Sequence, residues 1–388
     1  MDMKTTDIAT IERLSDAQNR LIDIVETLSD QDYRQQFHQE LSPLGWHLGH
    51  CLYIENFWLH ETLCDDDTQT KGLDKLYIPE LSPKPERGKK LPDINQLIDR
   101  AKQQQHHSRQ LLQQLPDKTT SQTLLKDNYI QDFIIQHYDQ HYETMQMILL
   151  QRALKANYSD YQVTNILSAS SETKDTINIA GGSYWVGSDL AASYDNERPR
   201  HNVSIERFSI AKNAVSNQQF LAFMHDQGYQ NKRLWSEQGW HWLQQHGISS
   251  PLHWKQDPQQ HWFGVDANGA FDLAAEQAVS GISYYEACAF ANWSNTRLAH
   301  EHEWEVAFAS NQLEQTAIVW EWCQNRFYPY HGFKALPYDG YSSPWFQQPH
   351  FVLKGGSLHT QNNIKRSSFR NFFGPDKRHI FAGCRLAY

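Results

Sequence analysis

Roughly the first 155 residues contain four stretches in which apolar residues recur three and four positions apart. This spacing places the apolar side chains on one face of an α-helix, so each stretch predicts an amphipathic helix. The stretches are residues 8–28, 46–63, 94–115 and 129–154. Helices of this kind bury their apolar faces against one another, and we expect them to form a four-helix bundle.

The pattern changes after residue 157. Residues 158–176 are polar and rich in Ser and Thr, as is typical of a linker. From residue 177 onward, short β-type runs alternate with Gly turns and Trp clusters, and helical stretches interrupt them at 216–227 and 283–295. We therefore expect an α+β protein with a helical domain at 1–157, a linker at 158–176 and a second domain at 177–388.

The segment between the second and third predicted helices, residues 65–92, mixes Pro, Gly and charged residues. This composition predicts a surface crossover, and a connection of this length is often functional. Its basic part, "KPERGKK" at 84–90, is most typical of a solvated loop.

The charge balance and the hydropathy exclude two classes of partner. The chain carries 35 Lys and Arg residues against 45 Asp and Glu residues, for a formal net charge of −10. It lacks a basic run that could follow a phosphate backbone, and it lacks the ~18 consecutive apolar residues that span a bilayer. We expect a cytoplasmic protein that binds neither nucleic acid nor membrane. Its five scattered cysteines favour reduced thiols.

Three histidines are candidates for a metal site. His137 and His141 lie four residues apart in a predicted helix, so both side chains leave the same face, although a chain with 20 histidines contains such pairs by chance. His50, on the apolar face of the second helix, is the best third ligand, and His47 is its rival. Three neutral imidazoles leave positions open on an octahedral ion, which suits Fe(II) oxygen chemistry or a Zn or Ni hydrolytic site.

Two stretches around these histidines resemble a known family. "LSPLGWHLGHCLYIENFWL" at 41–59 and "HYDQHYETM" at 137–145 resemble the DinB-like metal-binding bundle of the ergothioneine-biosynthesis sulfoxide synthases, the EgtB family. The patterns of that family are SPxxWxLGH and HExxHxE. The resemblance implies that His50, His137 and His141 are the metal ligands, and it places Tyr138 where the family has Glu.

The second half resembles the sulfatase-modifying-factor (formylglycine-generating-enzyme) domain, which has a C-type-lectin-like fold. The matching stretches include "GGSYWVGS", "RLAHEHEWEVAFA" and "FRNFFGPDKRHIFAGCRLAY". The paired cysteines that bind copper in formylglycine-generating enzymes have no counterpart here, because Cys384 stands alone. The resemblance therefore implies a scaffold that contributes substrate contacts, and not formylglycine generation.

The resemblance also implies a reaction. It predicts a non-haem Fe(II) enzyme that uses O2 to join a thiol to the imidazole ring of hercynine or a histidine derivative, with cysteine or γ-glutamylcysteine as the thiol. The alternatives are a synthase with another donor or acceptor, of selenoneine or ovothiol type, and a DinB-type metal-dependent thiol transferase.

Individual site residues follow from the matched motifs. The resemblance implies that Gln140 binds the substrate imidazole, that Tyr338 in "LPYDGYSSPWF" donates a proton, that Tyr341 forms a wall of the pocket, and that Asn371 in "FRNFF" is a polar contact to the acceptor. The other implied substrate contacts are Arg87, Phe372, Phe373, Lys377 and Arg378.

One departure from the family bears on the thiol donor. Relatives that use γ-glutamylcysteine have Asp and Arg at the positions that Phe373 and Lys377 occupy here. Without the Asp, the ammonium of a γ-glutamyl group has no carboxylate partner, so we expect cysteine to be favoured. Lys377, Arg378 or Arg87 can still hold a carboxylate.

Overall fold

The computed structural model describes residues 8–114, 124–172 and 175–388. The chain divides into two compact units, Met1–Arg152 and Ala153–Tyr388, and each is described by itself. The first is helical and the second combines sheets with helices, which confirms the expected α+β class. None of the helices in the described ranges is both long and apolar enough to cross a membrane.

The four predicted helices of the first unit are α1, α3, α6 and α7, and three shorter helices lie between them. A π-helical turn at Phe57–Thr62 continues α3, and residue 115 of the predicted third helix lies outside the described residues. The helices are α1 (Ile8–Glu26), α2 (Asp30–Arg34), α3 (Leu44–Asn56), α4 (Asp74–Tyr77), α5 (Lys84–Lys90), α6 (Ile94–Gln114) and α7 (Tyr129–Leu154).

Helix α3 is the centre of this unit, because nearly all of its residues are buried. It contacts α1 and α6. Gly49 lets it approach the end of α4, since a Cβ there would lie 2.3 Å from the ring of Tyr77. The amphipathic pattern expected for this stretch is therefore wrong for α3, because the helix is buried on all sides within the bundle.

The crossover is more ordered than its composition predicts. It contains α4, α5 and a 3₁₀ turn at Pro79–Leu81. The basic stretch 84–90, for which we expected a solvated loop, forms α5 and buries Arg87 to 3% exposure, whereas Lys89 and Lys90 stay exposed. That expectation was wrong for Arg87, because its guanidinium finds oxygen partners inside the unit.

The second unit contains thirteen described strands in four small sheets. Their orders are β1-β4-β13-β8, β11-β10-β9-β12, β2-β3 and β5-β6-β7; β12 and β9 pair in parallel, and the other pairs are antiparallel. The strands are β1 (Thr176–Ile179), β2 (Gly182–Val186), β3 (His201–Ile205), β4 (Phe208–Ala211), β5 (Trp254–Gln256), β6 (Trp262–Asp266), β7 (Gly269–Asp272), β8 (Arg297–Leu298), β9 (Trp320–Arg326), β10 (Phe351–Gly355), β11 (Asn371–Phe373), β12 (Ala382–Cys384) and β13 (Leu386–Ala387).

Four helices accompany these strands in the described part of the unit. Two of them, α8 and α10, match the predicted helical stretches and begin at capping boxes headed by Ser216 and Ser283. The other two were not predicted. The helices are α8 (Asn217–His225), α9 (Glu237–His246), α10 (Tyr284–Trp293) and α11 (Glu301–Ala309).

Candidate metal centre

His50, His137 and His141 come together inside the first unit. His50 lies on α3, and the other two lie one turn apart on α7. Each offers a ring nitrogen, and these nitrogens all lie within 4.8 Å of one another; among the described residues this is the one group of three or more potential ligands so placed. The predicted set is thus brought together, and the rival His47 is not part of it.

Burial keeps these imidazoles neutral. Loss of solvation lowers the pKa of His50 to about 4 and lowers the pKa values of His137 and His141 well below the usual range of histidine. A neutral imidazole has a free lone pair, which is the form that binds a metal ion. The centre is therefore ready to coordinate without first losing protons.

The orientation of His50 is fixed by the backbone. Its Nδ1 lies 2.7 Å from the carbonyl oxygen of Tyr77, and a carbonyl can only accept, so Nδ1 carries the proton. The lone pair is therefore on Nε2. The ring of Trp46 stacks on the imidazole at 4.6 Å with an interplanar angle of 10° and holds it from one side. Such an outer hydrogen bond is the usual support of a metal-ligating histidine.

His137 supplies a second test of whether the residues fit a metal. Its Nδ1 is buried and has no hydrogen-bond partner in the described part of the chain. A buried nitrogen without a partner costs free energy, and coordination would remove that cost if this atom is the ligand. The donor set of three neutral nitrogens fits a first-row transition ion.

A buried polar network connects these two helices to each other and to α1 and α6. The carboxylate of Glu55 accepts hydrogen bonds from Gln18 at 2.9 Å, from Tyr138 at 2.6 Å and from Ser108. Burial raises the pKa of Glu55. These bonds join α3 to α1, α6 and α7, and they hold the helix that carries His50 against the helix that carries His137.

A cavity of about 390 Å³ opens beside two of the three histidines. Its lining includes Trp46, His47, His50, Arg87 and His141. This volume is within the range of small-molecule sites. The cavity lies wholly within the first unit.

Arg87, a predicted substrate contact, lines this cavity and is held in place by the protein. It donates to the carbonyl oxygens of Ser82 at 2.8 Å and Pro79 at 3.0 Å, and to the hydroxyl of Ser42 at 2.5 Å. Its guanidinium lies 3.9 Å from the centre of the Trp46 ring. Arg87 therefore supports the stack on His50, whatever it also does for a substrate.

Gln140, the predicted contact to the substrate imidazole, precedes His141 on α7 and is half-buried. Its backbone carbonyl accepts from the hydroxyl of Thr144 at 2.9 Å. Thr144 also lines the cavity. The role of Gln140 in binding stays a prediction.

The second unit holds Tyr338 and Tyr341 in one loop. Tyr338 is 47% exposed, whereas the ring of Tyr341 stacks on the buried Tyr194 at 4.5 Å. Asp195 anchors the loop, because its carboxylate accepts from Ser342 Oγ at 2.5 Å and from the backbone N–H of Leu336 at 3.3 Å. Burial raises the pKa of Asp195 to about 6.

The predicted contacts Asn371, Phe372 and Phe373 form strand β11. Asn371 Oδ1 accepts from the backbone N–H of Phe372 at 3.0 Å. The ring of Phe372 stacks on Phe327 at 4.0 Å, so it packs a small apolar cluster. Phe373 is half-buried and pairs with Phe351 of β10.

Lys377 and Arg378 both have acidic neighbours within the unit. Lys377 Nζ lies 3.0 Å from a carboxylate oxygen of Asp376. Arg378 lies 3.0 Å from the buried carboxylate of Glu286 and donates to the carbonyl oxygen of Ser250. Arg378 is therefore engaged by the fold, and carboxylate binding by either residue stays a prediction.

Sequence reasoning missed two supports of the centre and one contact of His141. The supports are the carbonyl of Tyr77 and the carboxylate of Glu55; the contact is His47, which the sequence offered only as a rival ligand and whose Nδ1 lies 2.7 Å from Nδ1 of His141. The carbonyl leaves no sequence signal. Glu55 and His47 do leave one, since each is a polar residue within the apolar run that predicts the second helix.

Comparisons with known proteins match both parts of the chain. Residues 163–316 and 318–388 match the sulfatase-modifying factor enzyme 1-like domain, and residues 13–145 match the DinB superfamily. The hercynine oxygenase of Mycobacterium tuberculosis is 30% identical over 442 residues, and the match covers 97% of this chain and 97% of that protein. The hercynine oxygenase of Mycolicibacterium thermoresistibile is 29% identical over 441 residues, covering 97% of this chain and 94% of that protein.

Part of the chain also resembles a different enzyme. The formylglycine-generating enzyme of Thermomonospora curvata is 30% identical over 162 residues, which cover 38% of this chain and 52% of that protein. The two hercynine oxygenases match along nearly the whole chain, and this enzyme matches a part of it.

Proposed function

Because the chain belongs to the hercynine oxygenase family, as its motifs predicted, we propose that this enzyme is an Fe(II)- and O2-dependent sulfoxide synthase. The proposed reaction joins the imidazole ring of hercynine to the sulfur of a thiol, as in ergothioneine biosynthesis. The observation that carries the proposal is the cluster of His50, His137 and His141, three neutral imidazoles within 4.8 Å of one another.

The stoichiometry defines what the site must do. Hercynine gives up a C–H hydrogen and the thiol gives up its S–H hydrogen; one oxygen atom of O2 enters the sulfoxide and the other leaves as water. O2 is thereby reduced by four electrons, two from formation of the C–S bond and two from oxidation of sulfur. An Fe(II) ion held by the three histidines would supply the redox chemistry for activating O2.

The three histidines account for metal binding in this proposal. His50 directs Nε2 inward because Tyr77 holds its Nδ1 proton, and His137 has a buried nitrogen in need of a partner. Three protein ligands leave coordination positions for small molecules. Holding the reactants at one place replaces an improbable encounter of three molecules by a local step.

The cavity beside the histidines is the proposed entrance for the substrates. Both proposed substrates carry a carboxylate, and the cavity lining includes the basic residues Lys84 and Arg87 as well as the acidic Glu40. The two cationic groups favour the anionic part of a substrate. Gln140 is proposed to bind the substrate imidazole because it precedes His141 on the same helix.

The contributions of the second unit rest on the resemblance of its motifs. Tyr338 is proposed as the proton donor, and the residue is 47% exposed. Tyr341, Asn371 and Phe372 are proposed to shape or contact the acceptor site. Tyr341 has a fixed ring plane through its stack on Tyr194.

Cysteine is the proposed sulfur donor. Position 373 holds Phe, which offers no carboxylate to the ammonium of a γ-glutamyl group, and an ammonium without a partner is costly to desolvate. Lys377 or Arg378 is proposed to bind the carboxylate of the donor. Arg87 of the first unit is the alternative residue for this role.

The test is product analysis with the purified full-length chain loaded with Fe(II). Hercynine, cysteine and O2 should give a product whose mass equals the sum of hercynine and cysteine plus 14 Da, one oxygen gained and two hydrogens lost. The control omits hercynine. O2 consumption that yields only oxidised cysteine in both reactions would refute the synthase and favour a thiol oxygenase.

A further inference from the structure

His47 contacts one of the proposed ligands directly. It lies on α3 three residues before His50, so the two side chains share one side of the helix. Its Nδ1 lies 2.7 Å from Nδ1 of His141, and the two ring centres are 5.0 Å apart. His47 is 4% exposed and lines the cavity.

The direction of this hydrogen bond decides whether His141 can bind a metal. If His47 donated, the neutral His141 would accept at Nδ1 and would carry its proton on Nε2, which then could not coordinate. If His141 donates from Nδ1, its Nε2 lone pair is free. Only the second arrangement suits a ligand.

We propose that His47 is a positioning residue that accepts the Nδ1 proton of His141 and thereby fixes the orientation and tautomer in which Nε2 of His141 faces the metal. The inference rests on the metal centre proposed above. It gives His141 the same kind of outer partner that His50 has in the carbonyl of Tyr77.

A second observation fits this assignment. When His47 accepts at Nδ1, its own proton is on Nε2, and this buried atom has no hydrogen-bond partner in the ranges that the structure describes. A buried donor without an acceptor is costly. Since His47 lines the cavity, water or a substrate there can supply the missing acceptor.

The 2.7 Å separation also allows a competing explanation, in which His47 is itself a ligand. Two nitrogens on one metal ion lie about 3 Å apart, given metal–nitrogen distances of about 2.0–2.1 Å. His47 is not among the described residues whose ring nitrogens all lie within 4.8 Å of one another. This favours a role as hydrogen-bond partner of a ligand over a role as ligand. The experiment must separate the two roles.

The experiment compares two variants of the full-length chain. His47→Asn keeps an oxygen acceptor near the position of Nδ1, and His47→Leu removes it while retaining apolar bulk. His107→Leu, at an exposed histidine of α6, is the control. The measurements are the Co(II) dissociation constant from anaerobic titration, the number of imidazole ligands from X-ray absorption, and the thermal melt of the metal-free protein.

We expect His47→Leu to weaken Co(II) binding about 10- to 100-fold, as loss of an outer partner does in other metal sites. His47→Asn should stay within a few-fold of wild type, and wild type and both variants should show three imidazole ligands. Equal affinity in wild type and His47→Leu would overturn the inference. So would equal losses in both variants, or four imidazoles in wild type and three in His47→Leu.

The wild-type titration separates this inference from the proposed function. If the wild-type chain binds neither Co(II) nor Fe(II), the metal centre itself is refuted, and the role of His47 falls with it. If wild type binds metal and His47→Leu binds it equally well, the centre stands and only the role of His47 is refuted.

Discussion

Tyr138 donates a hydrogen bond of 2.6 Å to the buried carboxylate of Glu55, joining α7 to α3 next to the histidine centre. Tyr138 stands where the family pattern has Glu. A Glu at this position would place a second carboxylate against Glu55 in a site where burial already raises the pKa of the first. The departure noted in the sequence thus has a structural explanation: this chain uses a donor where a second acid would be unfavourable.

The first prediction concerns that bond. Tyr138→Phe removes one donor from a buried carboxylate, so the free energy of unfolding should fall by ~1–3 kcal/mol. The measurement is chemical denaturation followed by circular dichroism at helical wavelengths. Tyr142→Phe on the same helix is the matched control, since the described contacts include no hydrogen bond of its hydroxyl. Equal stabilities for both variants would show that the Glu55 network does not hold the helices.

The second prediction concerns the proposed ligands. Replacing His50, His137 or His141 by Ala should each remove most of the bound iron, because two imidazoles seldom hold a labile ion. The helical circular dichroism should change little, since each change removes one ring and leaves the apolar core. His107→Ala is the exposed control. Full iron occupancy in His50→Ala, together with its loss in His47→Ala, would reverse our assignment of these two residues.

The third prediction concerns pH and Asp195. Burial raises its pKa to about 6 in the folded protein, against about 3.9 in an unfolded chain. The folded state therefore binds this proton more tightly, and the contribution of Asp195 to the free energy of unfolding should decrease as pH rises from about 4 to about 6 and stay constant above that range.

Asp195→Asn should remove this contribution. The difference in unfolding free energy between the variant and wild type should change between pH 4 and pH 6 and be flat from pH 7 to pH 8. Tryptophan fluorescence can follow it, because all tryptophans except Trp46 and Trp58 lie in the second unit. Parallel pH profiles for the two proteins would contradict the raised pKa.

The fourth prediction separates the two tyrosines of the loop that Asp195 anchors. Tyr338→Phe should retain iron and bind substrates nearly as wild type does, but shift the product from the sulfoxide toward oxidised thiol, because a proton donor that favours coupling is lost. Tyr341→Phe should mainly weaken binding of the acceptor. Mass spectrometry at matched O2 consumption measures the products of both variants. Unchanged product ratios and rates in Tyr338→Phe would show that the hydroxyl has no catalytic role and that Tyr338 is a packing aromatic.

The fifth prediction concerns the thiol donor. Wild type should show a kcat/KM for γ-glutamylcysteine no higher than that for cysteine, because Phe373 cannot pair with the additional ammonium. Phe373→Asp should raise the ratio in favour of γ-glutamylcysteine, and Phe373→Leu, which adds no charge, should not. A clear wild-type preference for γ-glutamylcysteine would show that another group binds the ammonium.

Apolar periodicity was sufficient for α1 and α6, which bury one face over many turns. It describes α7 less well, because that helix is buried on most sides. It was not sufficient for α5 and α11, which are short. The N-terminal cap of α11 is His300, a residue type outside the usual capping set. In the Pro- and Lys-rich α5, Arg87 donates to the carbonyl oxygens of Ser82 and Pro79 and to the hydroxyl of Ser42, which lies before α3. Such tertiary contacts override local composition.

The three proposed ligands could be identified as candidates in the sequence, because two follow from helical spacing and the third is a histidine in an apolar run. The groups that hold these ligands in place were harder to predict. The partner of His50 is a backbone carbonyl at Tyr77, which any residue could provide, and its position depends on the close approach that Gly49 permits. The sequence identifies His50 as a candidate ligand, whereas its contact with the Tyr77 carbonyl indicates which nitrogen carries the lone pair.

The proposed iron site is tested most directly by titrating the metal-free chain with Fe(II) under anaerobic conditions and then mixing it with hercynine, cysteine and O2. We expect initial sulfoxide formation to rise linearly with iron, to reach a plateau at one Fe(II) per chain, and to be absent in His141→Ala. Sulfoxide formation that does not depend on added iron, or that persists in His141→Ala at the wild-type rate, would refute the iron site.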